Sequence, residues 1–265
     1  MKLTEIWIYP VKSLGGIRLK KAKALPKGLE YDRRYMLVDE NNRFITQRVS
    51  PQLALFKLSL EESVFKITHG NDTIDLPKSP ELNDKFITVT IFDDVVQAME
   101  LGTKFNQWFS VRADIKCKLI FFPEENRRPV DKDFAVNNEQ VSLADGYPFL
   151  IIGQRSLDEL NTKLEVSVPM NRFRPNFVFD GGKPFEEDNW RDIKIGSNGF
   201  TGLKLCGRCV VPTVNQETGE MGKEPLATLS KFRKAGSKVN FGQNLVARNH
   251  QEVKEGDKIE IESFQ

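Results

Sequence analysis

Residues 35–72 read YMLVDENNRFITQRVSPQLALFKLSLEESVFKITHGND, and this stretch decides the fold class. Apolar and β-branched runs at Tyr35–Val38, Phe44–Thr46, Leu53–Leu60 and Val64–Thr68 are separated by turn chemistry at Asn41–Asn42 and His69–Gly70–Asn71–Asp72. Asn, Asp and Gly accept the left-handed backbone of tight hairpins, so runs at this interval predict antiparallel strands. Toward the N-terminus, Leu3–Tyr9 and Ile17–Leu25 flank the Gly15–Gly16 turn. Toward the C-terminus, Phe86–Phe92 and Lys116–Phe122 continue the pattern around one expected helix, Thr103–Phe109.

From Pro123 to Ala144 the chain turns polar and irregular, which places a domain transition there and divides the protein into residues 1–118 and 119–265. Beyond it, Ser156-Leu157-Asp158-Glu159 has the spacing of a capping box, predicting a helix to Leu164. Strands are expected at Asn176–Phe179, Asp192–Ile195, Phe200–Leu205, Val210–Val214 and Lys258–Glu262, and a helix at Glu224–Arg233 with Pro225 in its first turn. The fold class is therefore mixed and mainly β (α+β), a mainly antiparallel barrel or sandwich followed by a half with more strand than helix and the helices peripheral.

Thirty-nine Lys and Arg against 37 Asp and Glu leave a net charge of +2, too little to collect nucleic acid or anionic lipid, so any anion site must be local. Nineteen Phe and 39% hydrophobic residues indicate a folded core. No apolar run approaches the roughly 20 residues of a membrane span, and the start MKLTEIWIYPVK lacks a secretory signal; the expectation is a cytoplasmic protein with neither a membrane nor a nucleic-acid partner. His69 and His250 stand far apart without ligand-type neighbours, which argues against a His metal site or triad. Neither GxGxxG after a strand nor a Walker loop is present.

The chemistry concentrates in Leu205-Cys206-Gly207-Arg208-Cys209-Val210-Val211-Pro212. Structural zinc would need a second pair of ligands, and Cys117 alone cannot supply it. A thioredoxin-type dithiol needs a helix after the first Cys, and Val210-Val211-Pro212 opposes one. Two readings remain: a pair of buried cysteines at a strand end, or one soft thiolate ligand that Arg208 helps to deprotonate. A single thiolate suffices if a cofactor brings the other ligands and is held by its own anionic handle. Cations suited to such a handle occur where loops meet strands, in Tyr9-Pro10-Val11-Lys12-Ser13, Tyr31-Asp32-Arg33-Arg34-Tyr35 and Asn171-Arg172-Phe173-Arg174-Pro175-Asn176. Each alone also fits a solvated charge.

Taken in order, IYPVKSLGG (8–16), YDRRYMLVD (31–39) with FITQR (44–48), NRFRPNFVFDG (171–181), LCGRCVVPTVNQETGE (205–220), KEPLATL (223–229), FGQNLVA (241–247) and VKEGDKIEI (253–261) resemble the MOSC-domain proteins with their N-terminal β-barrel domain, nearly end to end. Within them the chain is similar to the amidoxime-reducing components, which reduce N-hydroxylated compounds with a molybdenum cofactor. The resemblance implies Cys209 as the molybdenum ligand, with Cys206 either structural or supporting that ligand from behind. It implies Lys12, Ser13, Arg33, Arg174, Asn176, Gly207, Arg208 and Asn244 as contacts to the molybdopterin, Tyr147 as a weaker one, and Asn215, with Thr213 and Glu217, at the reactive opening. The expected reaction turns amidoximes and hydroxylamines into amidines or amines plus water. No cysteine follows Cys209, so the expected electron donor is a separate protein, a reductase or a haem or iron–sulfur protein. Related MOSC domains end molybdenum-cofactor sulfurases, so a cysteine-based sulfur carrier is an alternative, weakened by the absence of a pyridoxal phosphate-dependent desulfurase domain. A cofactor-binding or transfer protein without turnover is another.

Overall fold

The computed structural model describes residues 1–265, with helices α1 (Thr103–Ala113), α2 (Gln154–Asn161) and α3 (Leu226–Phe232) set among short strands. The segments Phe149–Gly153 (FLIIG) and Phe177–Asp180 (FVFD) are apolar without alternation, a pattern that asks for burial on both faces. They pair in parallel, Ile151 opposite Phe177, and α2 forms the crossover between them. On one face Phe149, Ile151, Phe177 and Phe179 enter the main core. On the other, Ile152 and Val178 pack with Leu157 and Leu160 of α2, Leu229 of α3 and Phe241.

These two strands are the centre of the largest sheet, whose order runs Ile259–Phe264, Trp190–Ile195, Asn198–Gly207, Lys238–Ala247, Phe149–Gly153, Phe177–Asp180, Lys2–Ile8, Ile17–Leu19. The sheet curls far enough for its first and seventh strands to meet. Leu3 N–H donates to Asp257 O (2.9 Å), Gly256 N–H to Leu3 O (2.8 Å) and Ile259 N–H to Met1 O (3.0 Å). These bonds cover part of the edge that an open sheet would leave.

The remaining strands of the first half form a four-stranded sheet, Tyr35–Val38, Lys118–Phe121, Asp94–Glu100, Phe86–Ile91, and a meander of Lys57–Leu60, Val64–His69 and Asp72–Pro77. Glu252–Lys254 crosses back to pair with Lys21–Leu25, which in turn pairs with Gly28–Leu29. One hydrophobic cluster runs through both halves, from Ile6 and Phe65 to Phe200 and Ile259.

Several local expectations are corrected. Phe44–Thr46 is not a strand: Arg43 and Phe44 make only single bridges, to Thr90 and Val38. Leu53–Leu60 splits into a 3₁₀ turn at Pro51–Leu55 and a strand from Lys57, because the fixed φ of Pro51 starts a helical turn. Ile17–Leu25 breaks into two strands at Lys20. Val210–Val214 is a 3₁₀ turn at Val211–Thr213, since Pro212 has no N–H for a ladder. Pro225 is the N-cap of α3 and not part of its first turn. Arg128 lies in the polar segment yet is 2% exposed.

The capping box is also unused. Helix α2 starts at Gln154, and Ser156 is fully buried within it. Its hydroxyl donates to both carboxylate oxygens of buried Glu187 (2.9 Å each), and Gly153 N–H donates to the same carboxylate (3.1 Å). Burial nevertheless pushes Glu187 up to about 7. A carboxyl raised on folding stabilises fully below its unfolded pKa and loses that contribution as pH rises toward 7. Glu187→Gln is thus expected to melt above the parent protein at pH 8, by up to about 3 kcal/mol, with the gap closing near pH 4.5. Thermal unfolding across this range checks it; a gap independent of pH would refute the assignment.

Candidate functional site

Five loops converge on one cavity of about 530 Å³. The turn after the first strand brings Lys12 and Ser13, and the loop before Tyr35–Val38 brings Arg33. The turn before Phe177–Asp180 brings Arg174 and Asn176, the loop before Phe149–Gly153 brings Asp145 and Tyr147, and the end of Asn198–Gly207 brings Gly207, Arg208 and Cys209. Asn244, from the paired strand, also lines it. Seven cationic side chains face this space and Asp145 is the single carboxylate among its lining residues, so a nearly neutral chain carries a concentrated positive site.

The loops are held in uncommon shapes. Ser13 (φ 69°), Arg33 (φ 51°) and Arg174 (φ 56°) are all left-handed and none is glycine. Each such residue costs on the order of 1 kcal/mol, a cost the surrounding contacts must offset. Tyr9 is the hub: the guanidinium carbons of Arg33 and Arg174 lie 4.3 and 4.2 Å from its ring centroid. Its hydroxyl donates to Pro175 O (3.2 Å), and burial pushes it up to about 12. Arg33 Nη1 donates to fully buried Asp32 (2.6 Å) and to Asn176 Oδ1 (3.3 Å), while Arg174 Nη1 donates to Leu14 O (2.7 Å). Asn176 Nδ2 donates to Trp7 O (3.2 Å), which clamps the first strand to this corner.

Lys12 is buried, its ammonium bonded to Leu143 O (2.9 Å) and Asp145 Oδ1 (2.6 Å); Arg48 takes the other Asp145 oxygen at 3.2 Å. Burial lowers Lys12 to about 8 even though Asp145 pulls it back, and lowers Arg174 to about 10 with Arg33 adding to the fall. Desolvation at the cavity wall would raise the Asp145 carboxyl, but Lys12, Arg48 and Arg33 overcome it and hold it far below the usual carboxylate range. Lys12, Arg33, Arg48 and Arg174 against Asp32 and Asp145 leave a net charge of two. A partly buried excess of this kind is relieved by a dianion, and a phosphate monoester fits it.

The cysteine loop corrects one expectation. Arg208 does not serve Cys209; its Nη1 donates to Cys206 Sγ (3.0 Å) and its Nη2 to Phe173 O (2.6 Å). Burial raises the Cys206 thiol in spite of that contact. Cys209 is half-buried and lines the cavity without a side-chain partner. Arg208 Nε is buried with no partner, a donor left over for something else in the pocket. Groups of three or more His, Cys, Asp or Glu that would hold a bare metal ion are absent. A metal here therefore has to arrive with ligands of its own. His69 packs on Phe56 (4.4 Å between centroids), a structural residue.

Asn215 is not brought to the cavity. Its Oδ1 accepts Glu217 N–H (2.9 Å) and closes a turn, Thr213 Oγ1 donates back to Val210 O (2.8 Å), and Glu217 pairs with Lys57 (3.0 Å). Gln216 links this turn to Gln47, whose amide donates to Ser13 O (2.7 Å), so the stretch after Cys209 positions the Ser13 loop. Residues not foreseen include Arg48, Asp145, Lys204 and Lys238. Arg128 was missed too: its guanidinium donates to Ser142 O (2.8 Å), Ala144 O (2.6 Å) and Asp145 O (3.1 Å), and it fixes the loop that carries Asp145. No local pattern marks these positions, because their partners lie far away in sequence.

Comparison with known proteins gives two family matches, the MOSC domain over residues 138–260 and the MOSC N-terminal beta barrel domain over residues 1–114. Mitochondrial amidoxime-reducing component 1 of Mus musculus is 30% identical over 97% of this chain and 81% of its own length. Mitochondrial amidoxime reducing component 2 of Bos taurus is 31% identical over 87% of this chain and 72% of its own. Molybdenum cofactor sulfurase of Oryza sativa subsp. japonica is 29% identical over 96% of this chain, which spans 33% of that longer protein. No helix is long and apolar enough to cross a membrane.

Proposed function

This chain belongs to the MOSC-domain proteins that carry the N-terminal MOSC barrel domain, and its function is associated with the molybdenum cofactor; from that premise we propose that it reduces N-hydroxylated compounds, amidoximes and hydroxylamines, to amidines or amines plus water. The observation that carries this reading is the meeting of Cys209 with the phosphate-sized positive corner in one cavity. When bound, the cofactor supplies two-electron redox chemistry and an oxygen-accepting metal.

The chain's own residues divide the remaining work. Lys12, Ser13, Arg33 and Arg174 hold the terminal phosphate, with Arg48 beside them. Asn244, the Gly207 backbone and the free Arg208 Nε–H read the polar edges of the ring system. Asn176 is saturated by backbone and Arg33, so it acts by fixing Arg33 and the Arg174 turn. Cys209 supplies the single protein sulfur. Burial of Lys12, and of Tyr9 beneath Arg33 and Arg174, limits the water that competes for the phosphate. Electrons come from a separate donor protein.

Protein produced in a host that makes the cofactor is expected to carry about one molybdenum and one pterin per chain, and to reduce benzamidoxime with reduced methyl viologen. Metal-loaded protein without turnover would refute the reductase reading. The likeness to the sulfurases supports a second reading, sulfur transfer through Cys209. Cyanide-labile sulfur on Cys209, found by intact-mass measurement in protein without molybdenum, would favour it.

A further inference from the structure

The positive corner around Tyr9 does not use all the cations of the cavity. Lys204 and Lys238 line it beside Cys206 and Gly207, on the strand that ends at the cysteine loop and on its hydrogen-bonded neighbour. Gly207 lets Lys238 approach: a Cβ there would lie 3.1 Å from Lys238 Cδ, so the lysine stem runs directly across the backbone next to Arg208. Neither ammonium has a carboxylate oxygen within 4.0 Å, whereas Lys12 and Arg48 share Asp145. An apolar flank adjoins them: Lys204 Nζ sits 3.8 Å from the Phe134 ring centroid and 5.9 Å from that of Tyr147.

We propose that Lys204 and Lys238 form an anion subsite for substrate, so that the enzyme prefers N-hydroxylated compounds bearing a carboxylate on an apolar or aromatic body. This rests on the reductase reading above and deepens it. Substrate is favoured over a second cofactor phosphate because the corner around Tyr9 already balances a phosphate dianion. The two lysines also stand on the Cys209 side, where the reacting group must come. Lys238 is exposed and Lys204 half-buried, as a binding element at the mouth requires. Two unpaired ammonium groups side by side repel each other: Lys204 is lowered first by burial and then by Lys238, with Asp131 and Asp133 too distant to pair but drawing it back. A carboxylate between them relieves this repulsion, and Phe134 with Tyr147 offers its ring an apolar face.

The test compares benzamidoxime with 4-carboxybenzamidoxime as substrates, and benzamide with 4-carboxybenzamide as non-reducible binding probes followed by ligand-observed NMR. In the parent protein kcat/KM is expected to favour the carboxylate substrate about tenfold at low salt, mostly through KM, and to lose that preference at high salt. In the double variant Lys204→Gln/Lys238→Gln the ratio of the two kcat/KM values is expected to fall to near one, and binding of 4-carboxybenzamide to be lost at unchanged pterin content. Equal kcat/KM for both substrates in the parent protein would overturn the subsite while leaving the reductase reading intact. Loss of pterin from the double variant would also overturn it, assigning the pair to a second cofactor phosphate. If the parent reduces neither compound yet binds 4-carboxybenzamide through the two lysines, the reductase reading falls and the anion subsite stands.

Discussion

Cys209→Ala is expected to bring amidoxime reduction to background, a loss of about 100-fold or more, since even residues that merely support a metal ligand cost 10–100-fold. The argument is one of substitution. Cys206 lies three positions earlier, at the end of the strand Asn198–Gly207, but its sulfur is already engaged by Arg208 at 3.0 Å and burial keeps its thiol protonated. It therefore cannot take over when Cys209 is removed. Cys206→Ser is expected to retain molybdenum and measurable turnover, because a serine oxygen still accepts from Arg208. Metal content and viologen-driven turnover of the two variants side by side give the answer. Full turnover in Cys209→Ala would end the ligand assignment.

Arg33→Ala carries the second large effect, and two causes contribute. The first is structural: Asp32 is fully buried, with Arg33 Nη1 at 2.6 Å and Tyr9 N–H at 2.8 Å. Removing one partner of a buried ion pair strands the other, and about 3 kcal/mol of stability is expected to go with it. The second is binding, through a lost phosphate donor and a loosened Arg174 turn. The double variant Asp32→Asn/Arg33→Ala separates them. Stability is expected to recover in large part, because a neutral amide is tolerable where a lone carboxylate is not, while pterin retention after dialysis stays low. Pterin retention equal to that of the parent would remove Arg33 from the phosphate site.

How much of this was legible in the sequence depends on the range over which each residue's partners lie. Tyr35–Val38 was readable to the residue, because apolar density and flanking turn residues are local signals. Phe149–Gly153 and Lys238–Ala247 were not foreseen: the first has no alternation, and the second interleaves Asn, Gly and Gln with its apolar residues. Ser156 misled because its spacing to Glu159 imitates a cap, while a carboxylate 31 positions away, Glu187, is its real partner. At the site, motif residues such as Lys12, Arg33, Arg174 and Cys209 were found and do share one cavity. Asp145, Arg48 and Arg128 act across the fold, and nothing beside them in the chain announces it.

The closing bonds between Met1–Leu3 and Gly256–Ile259 tie the first strand to a segment far from it in sequence. Ordering so long an intervening stretch costs entropy before the contact is made, so this seam is expected to close late in folding. The turn that carries Lys12 and Ser13 follows that strand and shares its anchorage. Leu3→Pro, which removes the N–H that Asp257 O accepts, is therefore expected to loosen that turn together with the seam.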